Sequence, residues 1–471
     1  MTQTQTNTSI KMISPTLHLY YYVLRNGMNE PVEELEKRRH FFNENLQKIT
    51  SHLTSKNGEN AAKFITLLPL QQDPKITGSV LDFSKIPTEC KKNNNDRVYL
   101  TTGIINSRLA ARRLNDTYLL RLTRYISSIE GQQSLNIFSN LSEHLSNLEL
   151  ELGQTVILAG ILPDTTTLEQ NRTIATHSLN QYYNQEIDTN KLITDEFLDS
   201  PFYIYTQSVE VKKSNKYSVE AIKLACVFLY KNETVETKSA TAYRILQNLL
   251  LSYHKINFFY SQSLVLKTLL EEQYKKIECL TEDYAKQEWD SKKLKQIPQD
   301  SLKYYQRLSF LEDQAKLVEF NLKNYQECLQ QIKDKTGYEL PKFFQNFAGE
   351  SEFYLEQMQA NIAFLQPALH LYDKLMLSVQ TQVSIEEAQR QENKSKKEAQ
   401  LAQIFTGIGT AIAVGQLLTE PLIKTISQYL EPTQQNPSLK SLWLGTIFSI
   451  CISLMVGFII SWIAYKWLKK D

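Results

Sequence analysis

Glycine and proline are scarce, with 14 and 13 of them in 471 residues. That excludes collagen-like chains and disfavours all-β folds built on frequent tight turns. No glycine occurs from Ile161 to Lys335, and so long a stretch is most readily built from long helices. Cysteine is sparse too. Cys90, Cys226, Cys279, Cys328 and Cys451 are an odd set with no two close in sequence. They fit neither a disulfide framework nor a zinc knuckle, and reduced, mostly buried thiols are expected. Charge of one sign is missing as well. A net charge of +1 argues against a chain built to hold nucleic acid. No phosphate loop ending in Gly-Lys-Ser/Thr and no His-Glu-x-x-His occurs, so no enzyme, catalytic residue or cofactor is expected. His254 and His370 fall beside apolar helix positions and read as structural.

What is present falls into blocks. Residues 1–16 are polar and lack the apolar core of a signal peptide, so they read as a disordered tail. Residues 17–232 read as a cytoplasmic α/β domain. Its expected strands are Leu17–Leu24, Phe64–Leu68, Val98–Ile105, Tyr118–Leu122, Thr155–Ile161, Phe202–Tyr205 and Ala225–Tyr230. Pro31 and the acidic residues after it start a helix running to about His52. Asn115-Asp116 offers a hairpin turn.

Residues 233–398 read as long stalk helices. The first, about 233–290, is apolar nearly all round from Leu249 to Tyr260, which requires protein on every side. Pro298 is expected to break the run. Tyr304, Leu308, Leu311, Ala315, Val318, Leu322, Tyr325, Leu329 and Ile332 then form a heptad seam. Leu355, Met358, Ile362, Leu365, Leu369, Tyr372, Met376, Val379 and Val383 form another, with a bend at Pro367. The simplest reading is one helix from 341 to 419, about 120 Å long.

Two segments near the C-terminus carry no charge. Residues 399–419 and 441–465 are long enough, at roughly 1.5 Å per residue, to cross a bilayer. Lysines before the first and after the second place both ends in the cytoplasm, an outside loop at 420–440 and a basic tail at 466–471. Gln403, Thr406, Gly407, Thr410, Val414 and Leu417 share one face of the first segment, suited to packing or to lining a pore. Gly445, Ser449, Ser453, Gly457 and Ser461 recur every fourth residue in the second, as close helix packing requires. The expected fold is therefore an α+β domain, a coiled-coil stalk and a two-helix transmembrane hairpin, predominantly α.

This layout resembles the CorA-type metal-ion transporter family. The resemblance is carried by the seam from Leu355 to Val383, the two uncharged segments with a short loop between them, and the ending Lys466-Trp467-Leu468-Lys469-Lys470. It covers about 230–471. The family's Gly-Met-Asn tripeptide after the first span is absent; Gly415-Gln416 stands there instead. Gly27-Met28-Asn29 lies far from either segment and reads as a strand-to-helix turn. The resemblance implies a homo-oligomer, a pentamer in the family, embedded in a membrane (the plasma or inner membrane in a bacterium). It implies a cation channel or transporter with the first span lining the pore and a divalent cation as transported or regulatory ion. The alternative is a non-conducting, membrane-anchored sensor or assembly protein whose α/β domain binds a cytosolic ligand or partner.

Two side-chain clusters complete the reading. Arg108, Arg112, Arg113, Arg121 and Arg124 could hold a phosphate-bearing ligand, line a solvated strand face or make an intersubunit contact. Glu278, Glu282, Asp283, Glu288 and Asp290 could weakly hold a divalent cation, although the lysines among them suit an ordinary solvated helix tip.

Overall fold

A computed structural model describes residues 11–26, 32–55, 57–91, 97–143, 145, 148–162, 166–212, 218–286 and 291–391. The chain divides into two units, 1–375 and 376–471. In the second, only the end of one helix is described, up to Gln391.

The first unit is built on a sheet. Its strands are β1 (Lys11–Leu24), β2 (Thr77–Ser79), β3 (Val98–Thr102), β4 (Ile105–Leu114), β5 (Thr117–Ile126), β6 (Gln133–Ser134), β7 (Gly153–Ile161), β8 (Ile193–Phe197), β9 (Ser200–Lys212) and β10 (Ser218–Tyr230). The helices are α1 (Val32–Thr50), α2 (Ile137–Leu141), α3 (Leu168–Tyr183), α4 (Glu233–Ala285), α5 (Ser291–Thr336), α6 (Lys342–Leu365) and α7 (Pro367–Gln391). The main strand order is β2-β4-β5-β1-β7-β10-β9-β8, with β3 added on β4 and β6 on β1. Only the β7–β10 pair is parallel among these ladders.

Alternation along the strands sorts side chains into two cores. Leu17, Leu19, Tyr21 and Val23 of β1 pack with α1, α2 and α3. Tyr20, Tyr22 and Leu24 pack with α4, α5 and α6 on the other face. We call these the α1 face and the α4 face. The central strands are buried on both, which explains why Leu17–Leu24 reads as a continuous apolar run rather than an alternating one.

Several expectations are corrected. β1 begins at Lys11, inside the segment read as a tail. Residues 64–68 form no strand. The Asn60 side chain accepts from Ala62 N–H and starts a tight turn there, and only an isolated bridge joins Leu67 to Leu81. Val98–Ile105 is split by Gly103, at φ 58°, into the β3–β4 hairpin. The glycine-free stretch holds α3 and three strands as well as long helices. There the β8–β9 turn places Leu198 and Asp199 at φ 53° and 55°, the sign that a two-residue hairpin turn requires. Leu198 is buried in the α4-face core, and that packing offsets the strain.

Among the long helices, α4 starts where Asn232 accepts from Val235 N–H, with Glu233 and Glu236 in the first turn, as capping and the helix dipole favour. Pro298 does not end a helix but sits inside α5. Its neighbour Ile297 is buried, so packing outweighs the one lost backbone bond. The α5 seam is buried except at Leu329, which is half-buried. From Ala315 to Ile332 it is consumed within the chain, because those residues share a core with α4 and α6. The continuous helix from 341 is also corrected: α6 stops at Leu365 and α7 starts at Pro367. Leu369 N–H bonds to Gln366 instead of Leu365. Buried Tyr304 donates its hydroxyl to the Leu365 carbonyl at 2.7 Å.

The transmembrane hairpin is corrected as well. Among the described residues no helix is long and apolar enough to cross a membrane. The 53-residue α4 carries Lys238, Arg244, Lys255 and Lys267 along its length. Residues 399–419 and 441–465, with Gln403, Thr406, Gly407, Thr410, Val414, Leu417, Gly445, Ser449, Ser453, Gly457 and Ser461, lie outside the described residues, as does Gly27-Met28-Asn29. The architecture observed is an α/β sheet between helical layers, extended by long helices.

Two close contacts in this fold generate predictions. A Cβ added at Gly153 would meet the His254 ring at 2.2 Å. Gly153→Ala should therefore destabilise the fold by about 1–3 kcal/mol, read as a lower urea midpoint; an unchanged midpoint would show that α4 can retreat freely. On the α1 face, the Asp73 carboxylate is 1% exposed and takes Arg25 Nε at 3.3 Å and Arg39 Nη1 at 2.5 Å, and the Tyr118 hydroxyl at 2.7 Å. Asp73→Ala removes the buried carboxylate shared by two half-buried guanidiniums and should cost on the order of 3 kcal/mol, measured by the same unfolding titration.

Candidate functional site

The five arginines singled out from the sequence all lie on β4 and β5, but the sheet does not bring them together. Even-numbered residues of β4 and odd-numbered residues of β5 face α4, as Leu114 and Leu119 do. Arg108, Arg112 and Arg121 therefore share the α4 face. Arg113 and Arg124 point to the other side. There Arg113 donates to the carbonyls of Asn115 and Pro74 at 2.7 and 2.6 Å. Arg124, 5% exposed, donates to the Leu141 carbonyl at 2.9 Å. Both are structural clamps on loops and on α2.

On the α4 face Arg108 and Arg121 meet rings rather than carboxylates among the described residues. The β4–β5 register sets Arg108 opposite Thr123, Ala110 opposite Arg121 and Arg112 opposite Leu119. Arg121 is thus diagonal to both other arginines, about 7–8 Å away along such a ladder. Its guanidinium lies 5.4 Å over the Tyr20 ring. The exposed Arg108 stands 4.7 Å from the centre of the Tyr125 ring and 5.9 Å from that of Tyr99, and donates to the Tyr125 hydroxyl at 3.1 Å. The floor is polar and buried: His18 Nδ1 and Thr123 Oγ1 lie 3.1 Å apart. The imidazole packs against Tyr243 of α4 at 4.5 Å.

Charge accumulates here because β1, β3, β4 and β5 contain no aspartate or glutamate. His18 registers it. Burial first, then the Arg121 and Arg108 charges, lower its pKa to about 3. Such a face can receive an anion between guanidinium forks.

The acidic tip of α4 carries Glu278, Glu282 and Asp283, while Glu288 and Asp290 lie outside the described residues. No group of three or more His, Cys, Asp or Glu among the described residues is placed to hold a metal. Cys90, Cys226 and Cys328 are buried and Cys279 is exposed, and none of the four forms a disulfide among the described residues. His254 is buried, with Nε2 2.7 Å from Thr155 Oγ1, whereas His370 is exposed, contrary to expectation. A cleft of about 640 Å³, absent from the sequence reading, opens among β9, β10, α4 and α6, with Lys191, Tyr253, Asn257, Phe347, Glu350 and Tyr354 on its walls. No local motif marks it, because its walls come from two stretches far apart in the chain, 191–257 and 343–354.

Comparison with known proteins gives little. No family model matches, and no curated protein matches. Among solved structures the chain is similar to the CorA magnesium transporter from Methanocaldococcus jannaschii, at 13% identity and a TM-score of 0.17, over 65% of this chain and 89% of that one. It is also similar to the full-length CmaX protein, at 11% identity and a TM-score of 0.19, over 69% and 92%. TM-scores this low establish neither a shared fold nor membership of a family.

The two buried imidazoles set a pH dependence. Burial lowers the pKa of His254 to about 3 as well. The unfolded chain takes up protons below about pH 6.5, while the folded imidazoles stay neutral down to about 3. Stability is therefore complete above 6.5 and is lost as pH falls from there. The loss is on the order of 2 kcal/mol per histidine at pH 5. Urea unfolding at pH 7 and 5 checks this. His18→Gln and His254→Gln variants should each lose less than the parent chain, and an equal loss would remove the imidazoles as its source.

Proposed function

We propose that the chain is a CorA-like oligomeric protein that works in cation transport, with its long helices carrying self-association. The observation that carries this reading is the placement of exposed apolar side chains. Among the described residues every exposed large aromatic side chain, Tyr305, Phe310, Phe320, Phe353 and Phe364, stands on α5 or α6. Phe353 and Phe364 are three helical turns apart and so share a face. Single exposed apolar residues are ordinary, but a concentration of aromatics on two adjacent helices marks a surface meant to be covered. The α5 seam from Ala315 to Ile332 is already used within the chain, which leaves the outer rows for a second copy. The transport role rests on the order of parts, an α/β sheet followed by long helices, which is the order in the CorA-type family.

A second reading, a non-conducting sensor whose α/β sheet binds a ligand or partner, is favoured by the arginine face. One preparation tests the first reading. The full chain, purified in detergent, should have a multimeric mass by light scattering, and Phe353→Ser with Phe364→Ser should shift it toward the monomer. The parent chain incorporated into lipid vesicles should dissipate a cation gradient. A monomeric mass with no flux of any cation would overturn the proposal.

A further inference from the structure

We infer that the α4 face of β4 and β5 is a binding site for a phosphoryl group of a soluble ligand, held between Arg108 and Arg121. The inference deepens the ligand-binding reading and rests on it. Four observations carry it.

Neither guanidinium has a carboxylate partner among the described residues; their neighbours are the rings of Tyr125, Tyr99 and Tyr20 and one tyrosine hydroxyl. Most of their N–H donors are thus available to an oxyanion. Second, the two arginines are diagonal neighbours across the β4–β5 ladder, close enough for both forks to reach one tetrahedral anion. Ala110 lies directly opposite Arg121 and raises only a methyl group between them. Third, the rings hold the guanidiniums in place. An arginine that already lies on an aromatic face loses less side-chain freedom when a ligand binds. Fourth, the four adjacent strands carry no acidic residue, so nothing on this part of the sheet repels an anion. The buried His18–Thr123 pair beneath stays neutral and does not compete for it.

Planar forks favour phosphoryl oxygens, and two forks favour a dianion over a monoanion such as chloride. A carboxylate ligand is the nearest rival, and an acidic surface on another copy of the chain is the next. Isothermal titration calorimetry of the full chain with inorganic pyrophosphate, at fixed ionic strength, separates them. The expected result is saturable binding. Arg108→Gln and Arg121→Gln should each weaken it about tenfold or more. Arg121→Lys, which keeps the charge and loses the fork, should also weaken it. Arg113→Gln, on the opposite face, should leave it unchanged.

Binding of citrate but not pyrophosphate would overturn the phosphoryl assignment and leave the ligand-binding reading standing. Binding to phosphatidate vesicles but not to soluble pyrophosphate would overturn the assignment to a soluble ligand. Absence of any anion binding, with a changed oligomeric mass in the Arg108→Gln, Arg121→Gln double variant, would overturn both and make the face a contact between copies. Equal pyrophosphate binding by that double variant would place the site elsewhere and overturn the inference.

Discussion

Burial of the central strands on both faces is the constraint on which the rest of the structure depends. Tyr20, Tyr21 and Tyr22 are consecutive and each is 0% exposed, so β1 must be covered from two sides at once. Each buried hydroxyl then needs an acceptor. Tyr21 donates to the Glu149 carbonyl at 2.6 Å on one side, and Tyr22 to the Gln247 carbonyl at 2.7 Å on the other. The second bond ends on α4, so it ties the long helix to the sheet. His254 adds another tie one strand away, through Thr155. Among the described residues the Tyr20 hydroxyl has no hydrogen-bond partner; its ring lies beneath the Arg121 guanidinium.

Much of this was legible in the sequence where one local signal decided the outcome. The apolar run at Leu17–Leu24, the change to long helices at 233 and the seam from Tyr304 to Ile332 all act within a few residues of themselves. The signals that failed were those that tertiary packing overrides. Pro298 should break a helix, yet α5 passes through it. Pro367 should only bend one, yet two helices meet there, and the Tyr304 hydroxyl of α5 donates to the buried Leu365 carbonyl. The sorting of the arginines was half legible. Alternation alone separates Arg112 from Arg113. Relating β4 to β5 needs the register Leu114↔Thr117, which follows once Asn115 and Asp116 are accepted as the turn.

Glycine scarcity takes a more specific meaning in the structure. Left-handed positions fall to Asn115, Asn184, Leu198 and Asp199 as well as to glycines. Asparagine and aspartate tolerate that conformation; a leucine does not, unless its side chain is held by a core. The sheet also places glycine where room is the issue. Gly153 admits the His254 ring, and Gly160 admits Met12, each on a strand whose neighbours are large. A chain with few glycines thus uses two of them to bring other side chains against β7.

The two faces of the sheet treat arginine in opposite ways, and the contrast is physical rather than compositional. On the α1 face Arg25 and Arg39 meet the buried Asp73 carboxylate, and Arg113 and Arg124 meet backbone carbonyls. Those groups accept hydrogen bonds from the cations, as burial favours, although Arg124 Nε has no partner among the described residues. On the α4 face Arg108 and Arg121 meet rings. A ring at an exposed site is worth only about 0.5–1 kcal/mol to a cation and accepts no fork. Such a partner orients a guanidinium without satisfying it. The charge therefore stays available at the surface, and its positive field reaches the buried His18 beneath. Arginines serving only the fold would gain more from the carboxylate and carbonyl partners used on the opposite face, and among the described residues these two have none.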